Sequence, residues 1–129
     1  MNTGVLRLAA LTALLLIAAC SDSPLSGGGP PLIISATWVD AEDADHTIFF
    51  RSTDDGETSG TLAGREDHVA LGTFDSPVGG FWESGRVEMV IVRGGEPYKF
   101  VATFHGPEPT ELVFTSVGGT AAGFTMEQP

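Results

Sequence analysis

From residue 32 onward the chain is predicted to be all-β: a single antiparallel up-and-down meander of about eight strands closing into a small barrel. Three observations predict this. Apolar and polar residues alternate with period two in several short runs. Turn-forming Gly, Pro and Asp residues separate the runs at hairpin length. No stretch after residue 20 carries a helical period. Short local connections favour a meander over a Greek key, and closure removes exposed sheet edges. The same strand count also allows a two-sheet β-sandwich, the alternative architecture.

The first run is 32–39. The second, 47–52, places Ile48 and Phe50 on one face. Asp54-Asp55-Gly56 signals a turn before the third run, 58–63. Residues 64–67 separate that run from 68–74. A longer connection, 75–85, carries Pro77, Gly79-Gly80, Phe81 and Trp82. The clearest hairpin follows. Val87, Met89 and Ile91 share one side of 86–93, and Gly94-Gly95 tolerates the positive φ of a tight turn. Run 98–105 returns with Tyr98, Phe100, Ala102 and Phe104 on one face. Pro107-Glu108-Pro109 turns the chain again. Runs 112–117 and 121–127, split by Gly118-Gly119, complete the set.

The N-terminal residues have a different character. Arg7 precedes an uncharged segment, 8–19, too short to span a bilayer as a stable helix. It ends in Ile17-Ala18-Ala19-Cys20, and Cys20 is the only cysteine. This segment resembles a bacterial lipoprotein signal peptide: Ile17 matches the branched apolar position, Ala18 and Ala19 the small ones, and Cys20 the lipidated residue. The resemblance implies cleavage before Cys20 and a thioether-linked diacylglycerol on it, usually with a further N-acyl chain. Two or more chains anchor stably, at roughly 0.8 kcal/mol per buried CH₂. Ser21, where an aspartate would favour the inner membrane, implies the outer membrane in a host that has one. The expected organisation is a signal peptide 1–19, a lipidated cysteine and flexible tether 20–31, and a β domain 32–129. The tether is rich in Gly, Ser and Pro, which keep a segment flexible and irregular.

The whole chain has a net charge of −11, from 6 Lys and Arg against 17 Asp and Glu. Loss of Arg7 with the signal takes the mature chain from −11 to −12. That charge disfavours nucleic acid and bare anionic lipid, and favours cationic partners, divalent ions or simple solubility. With Cys20 the only cysteine, no intramolecular disulfide can form, so stability must come from packing and backbone pairing.

Several side-chain constellations could carry chemistry. Asp40, Glu42, Asp43, Asp45 and His46 crowd one turn, and Asp54, Asp55 and Glu57 the next. Their spacing does not match an EF-hand, and a solvated turn is the plainer reading. His46, His68 and His105 come from three runs without metal-ligand spacing, so no metal site is expected. There is no Gly-X-Ser-X-Gly elbow and no phosphate loop. Glu83 and Glu88 are undistinguished as a carboxylate pair. Neither an enzyme nor a cofactor is expected. Phe81 and Trp82, flanked by glycines, are the candidate binding loop; they can form a contact lip or fold back to cap the barrel end. Ala36-Thr37-Trp38 is faintly similar to the start of lipocalin and avidin barrels, in which the Trp plugs one end. No biotin-site residue carries over.

The expected function is a lipid-anchored envelope lipoprotein that displays an acidic β domain as a protein-interaction or binding module. Its partners would be the membrane, through Cys20, and an envelope protein or other cationic partner. In size, anchor and β content the chain is similar to small lipoproteins that inhibit lysozyme, though it lacks their cysteines. The alternative is a carrier of a small apolar ligand, with Phe50, Met89, Phe100, Phe104 and Phe114 facing the interior.

Overall fold

The computed structural model describes residues 29–129. The expected signal segment, Cys20 and most of the tether lie outside the described residues. Eight strands follow in order: β1 Ala36–Asp40, β2 His46–Arg51, β3 Ser59–His68, β4 Thr73–Glu83, β5 Arg86–Arg93, β6 Glu96–Thr103, β7 Glu111–Ser116 and β8 Phe124–Glu127. Each pairs antiparallel with the next, and β8 returns to β1 to close the barrel. The up-and-down meander and its closure are as predicted; the sandwich does not form. Among the described residues no helix is long and apolar enough to cross a membrane.

The first and last predicted runs are strand only from Ala36 and from Phe124, and two larger departures from the sequence reading run in compensating directions. Residues 64–67 do not separate two strands; they lie inside β3. A Cβ on Gly64 would run into the Phe49 carbonyl, so this glycine marks a close backbone approach within the sheet rather than a turn. The predicted connection 75–85 is mostly strand as well. A short 3-10 turn, Val69–Leu71, leads into β4, which carries Pro77, Gly79, Gly80, Phe81 and Trp82. Gly80 is tolerated for the same reason as Gly64, since a Cβ there would meet the Glu88 carbonyl. The actual β4–β5 turn is Ser84-Gly85, both at positive φ (52° and 76°). Gly94 and Gly95 have φ of 57° and 85°, the signs that a tight type I′ hairpin requires.

Alternation sends one face of every strand inward. Trp38, Phe50, Met89, Phe100, Phe114 and Met126 are among the side chains removed from water in a single core. The segment before β1 seals one end. Leu32 and Ile34 are fully buried. The Leu32 amide donates to the Glu57 carbonyl (3.0 Å), and the Ile33 amide to that of Pro107 (2.7 Å). Asp55 Oδ1 accepts from the Ile34 amide at 2.8 Å. Trp38 Nε1 donates to the Ile34 carbonyl at 2.9 Å, and Trp82 Nε1 to the Glu57 carbonyl at 3.1 Å. Both indoles thus bury their rings and satisfy their one donor, as a buried Trp requires.

Candidate functional site

The opposite end of the barrel is different. The strand ends there supply inward residues that are polar or charged: Asp40 from β1, His46 from β2, Glu66 and His68 from β3, Ser76 from β4 and Arg93 from β5. His46 and Glu66 are fully buried and Arg93 is 8% exposed. Strand periodicity puts them there. His46 continues the inward row of Ile48 and Phe50, Glu66 that of Leu62, and Arg93 that of Val87, Met89 and Ile91.

These groups form one network. Arg93 donates twice to Glu66, from Nε to Oε1 and from Nη2 to Oε2, both at 2.7 Å. This fork is the strongest geometry available to that pair. His46 Nδ1 lies 2.7 Å from Asp40 Oδ2, and Nε2 lies 2.8 Å from Glu66 Oε2. Ionised carboxylates only accept, so both ring nitrogens must donate and His46 is an imidazolium. Two cations and two carboxylates cancel. Burial alone would lower the His46 pKa, but the hydrogen bonds to Glu66 and Asp40, with their charges, outweigh it and hold the pKa above the ordinary value. Burial would raise Glu66; Arg93 first, and then His46, hold it below the usual carboxylate range.

His68 stands directly across the β2–β3 ladder from His46, and the two rings stack at 3.8 Å and 9°. Burial, then the charge on His46, pushes the His68 pKa down, so this imidazole is neutral near pH 7. Its Nδ1 is buried without a hydrogen-bond partner among the described residues, and so is the Thr73 hydroxyl oxygen. Both residues line a pocket of about 430 Å³ at the barrel mouth, with Leu71, Arg93, Tyr98 and residues 120–122. The Arg93 guanidinium carbon lies 5.6 Å from the Tyr98 ring centre and 5.2 Å from that of Phe100.

His46, Glu66 and His68 place potential metal-ligand atoms within 4.8 Å of one another. Their arrangement suits a metal poorly. Both nitrogens of His46 are engaged by carboxylates, and Glu66 is held by Arg93. Stacked parallel rings also send their in-plane lone pairs side by side rather than onto one ion. The chemistry available is hydrogen bonding: His46 is locked, while His68, Thr73 and Arg93 line the pocket.

Other residues singled out in the sequence are dispersed. His105 is exposed at the sealed end, far along the chain from the paired histidines. Asp54 accepts from the Thr61 amide (2.9 Å) and Asp43 from the Asp45 amide (3.0 Å), so these acids shape their turns. Glu88 lies on the outer face beside Arg86 (3.1 Å) and Lys99 (3.5 Å). The expected binding loop is instead strand β4, where adjacent side chains point to opposite faces. Phe81 is 46% exposed on the outer wall, and Trp82 is in the core. Phe81 and Trp82 therefore form no common lip; Trp82 seals the barrel end. Cys20 lies outside the described residues.

Glu66 and Arg93 were not singled out in the sequence, although the alternation of their strands already carried both onto the inward face. No family model, no curated protein sequence and no solved structure matches the chain.

Proposed function

We propose that this chain is a lipid-anchored envelope binding module, tethered through acylated Cys20, that holds its ligand at the polar mouth of the barrel. One observation carries the reading: a buried charge network and a lined pocket occupy one barrel end, and the chain enters at the other. Replacing a buried ion network by apolar residues is often neutral or stabilising, so stability alone gives no reason to keep one there. Charge-coupled groups with perturbed pKa values beside a pocket make a candidate binding site. Only residues 21–28 separate Cys20 from Gly29. With the anchor on the sealed-end side, the mouth is presented away from the membrane.

The side chains expected to line an apolar cargo cavity, Phe50, Met89, Phe100, Phe104 and Phe114, are packed into the core. That packing favours the mouth over the interior as the ligand site. The acidic outer surface remains the place for a cationic protein partner.

Native mass spectrometry of the full-length protein, gently extracted from its host envelope, tests both halves of the reading. The expected spectrum shows acyl mass on Cys20 and a retained small molecule that Ala121→Trp, filling the pocket, displaces. An unacylated Cys20 overturns the anchor. A retained mass unaffected by Ala121→Trp overturns the mouth as the site.

A further inference from the structure

We infer that the mouth pocket recognises a carboxylate group, held by the free edge of Arg93, the Thr73 hydroxyl and the His68 imidazole, with the ligand's apolar body against Leu71 and Ala121. The inference rests on the mouth being the ligand site and names the chemistry of what enters it.

The lining is unusual for this protein. The mature chain is strongly acidic, yet the pocket lining contains no Asp or Glu, and its one charged residue is Arg93. Glu66 engages Nε and Nη2 of Arg93; Nη1 makes no hydrogen bond among the described residues. Glu66 thereby fixes the guanidinium plane, and the Tyr98 and Phe100 ring centres lie 5.6 and 5.2 Å from it. A preorganised guanidinium with an unused edge suits a planar oxyanion. The Thr73 hydroxyl is buried without a partner and can donate. His68 Nδ1 is likewise buried without a partner, and an incoming anion would supply one.

Leu71 is 54% exposed at the rim, and Ala121 and Ala122 form an apolar wall. A ligand with one anionic group and a small apolar body matches both halves of this lining. A fully apolar molecule would leave Arg93, Thr73 and His68 unsatisfied, at the desolvation penalty that buried polar groups carry.

Protonation follows from the geometry. His68 is faced by His46 and Arg93, which oppose a further positive charge, and by Glu66 and by Asp43 at 3.9 Å, which favour it. A bound carboxylate adds a negative charge beside His68 and shifts that balance. Binding should therefore take up a proton and tighten as pH falls through neutrality toward the lowered pKa of His68.

The test uses full-length protein in detergent, followed by NMR of the His68 ring and the Arg93 guanidinium. Benzoate is the probe and benzamide its neutral isostere. A tripeptide with a free C-terminus, and the same peptide amidated, separate a peptide carboxylate from a small acid. Benzoate is expected to shift both signals saturably, at least about tenfold more tightly than benzamide, and Thr73→Val is expected to weaken it about tenfold. Proton uptake at His68 should accompany binding. Tight binding of the free peptide but not its amide assigns the site to C-termini; binding of benzoate alone assigns it to small acids. Equal binding of benzoate and benzamide at the mouth overturns the carboxylate inference and leaves the mouth as a site. Shifts confined to residues away from the mouth, or no saturable shift of either signal, overturn the inference too; the mouth itself is judged separately by the Ala121→Trp displacement.

Discussion

The two ends of this barrel are built from the same strands and solve the same problem differently. At the sealed end, Leu32 and Ile34 fold beneath the barrel with Trp38, Phe50, Trp82 and Phe104, and the indole donors reach backbone carbonyls. At the mouth, the interior is closed by charge: Asp40, His46, Glu66 and Arg93 neutralise one another. At the apolar end a deletion costs in proportion to the volume and area removed, and leaves no buried charge without its partner. Charged closure is brittle, because removing one member strands another in a medium that solvates it poorly. The difference teaches where function should be sought, since the brittle end also holds the buried polar atoms without partners among the described residues, and His68 and Thr73, which carry them, line a pocket with Arg93.

The sharpest way to break the comparison is to delete one group at each end. Trp82→Ala removes one of the two indoles of the seal and its hydrogen bond to the Glu57 carbonyl, and should cost about 3–5 kcal/mol by urea unfolding. Arg93→Met should cost a similar about 3–5 kcal/mol, through Glu66 left charged and buried. The ends then diverge. The triple variant His46→Leu/Glu66→Leu/Arg93→Met should regain most of the loss, because no buried charge remains. A triple variant as unstable as Arg93→Met would show that the mouth is held by packing, not charge.

Stability against pH sharpens the same contrast. Glu66 has a lowered pKa, so its contribution is complete above its ordinary value of 4.5 and is lost as pH falls through its folded value. His46 has a raised pKa, so its contribution is complete below 6.5 and is lost as pH rises through its folded value. His68 has a lowered pKa and acts oppositely: its contribution is complete above 6.5 and is lost as pH falls. Urea titrations between about pH 4 and pH 9 should therefore show an alkaline decline that His46→Gln abolishes. In His68→Gln the acid decline should begin lower, where Glu66 alone governs it. An alkaline decline unchanged in His46→Gln would show that His46 is not the charged member of the network.

Smaller effects belong to the sealed end and the outer wall. Asp55→Ala removes the acceptor of the Ile34 and Ser35 amides and should cost about 1–2 kcal/mol, with faster amide exchange confined to residues 32–35. Phe81→Ala should change stability by no more than about 0.5 kcal/mol, against the large loss for its neighbour Trp82. Equal losses at 81 and 82 would contradict their opposite orientations.

Much of this fold was legible in the chain. The hairpin 86–93 to 98–105 was readable because alternation and the Gly94-Gly95 turn depend only on neighbouring residues. The strand count of eight was reached with two errors that offset each other. Gly64 reads locally as a break, and Pro77 with Gly79-Gly80 reads as a loop. In the sheet, Gly64 and Gly80 permit close strand approach, and Pro77 is accommodated near the β3–β4 register shift between Glu66 and His68. The site was half legible. His46 and His68 stood out as rare residues. The inward position of Arg93 followed from Val87, Met89 and Ile91, and that of Glu66 from Leu62, but no pattern within one strand says which inward charges meet.

The sequence by itself determined which face of each strand turns inward and where the tightest hairpins form, because both depend on side-chain alternation and on the φ that a residue tolerates. Only the tertiary structure decided that β8 pairs with β1, that the segment 32–35 seals one end, and that Asp40, His46, Glu66 and Arg93 share one network. Those residues come from four strands, with Glu66 and Arg93 27 positions apart. Their energies depend on distance and burial across the barrel, which exist only once it has closed.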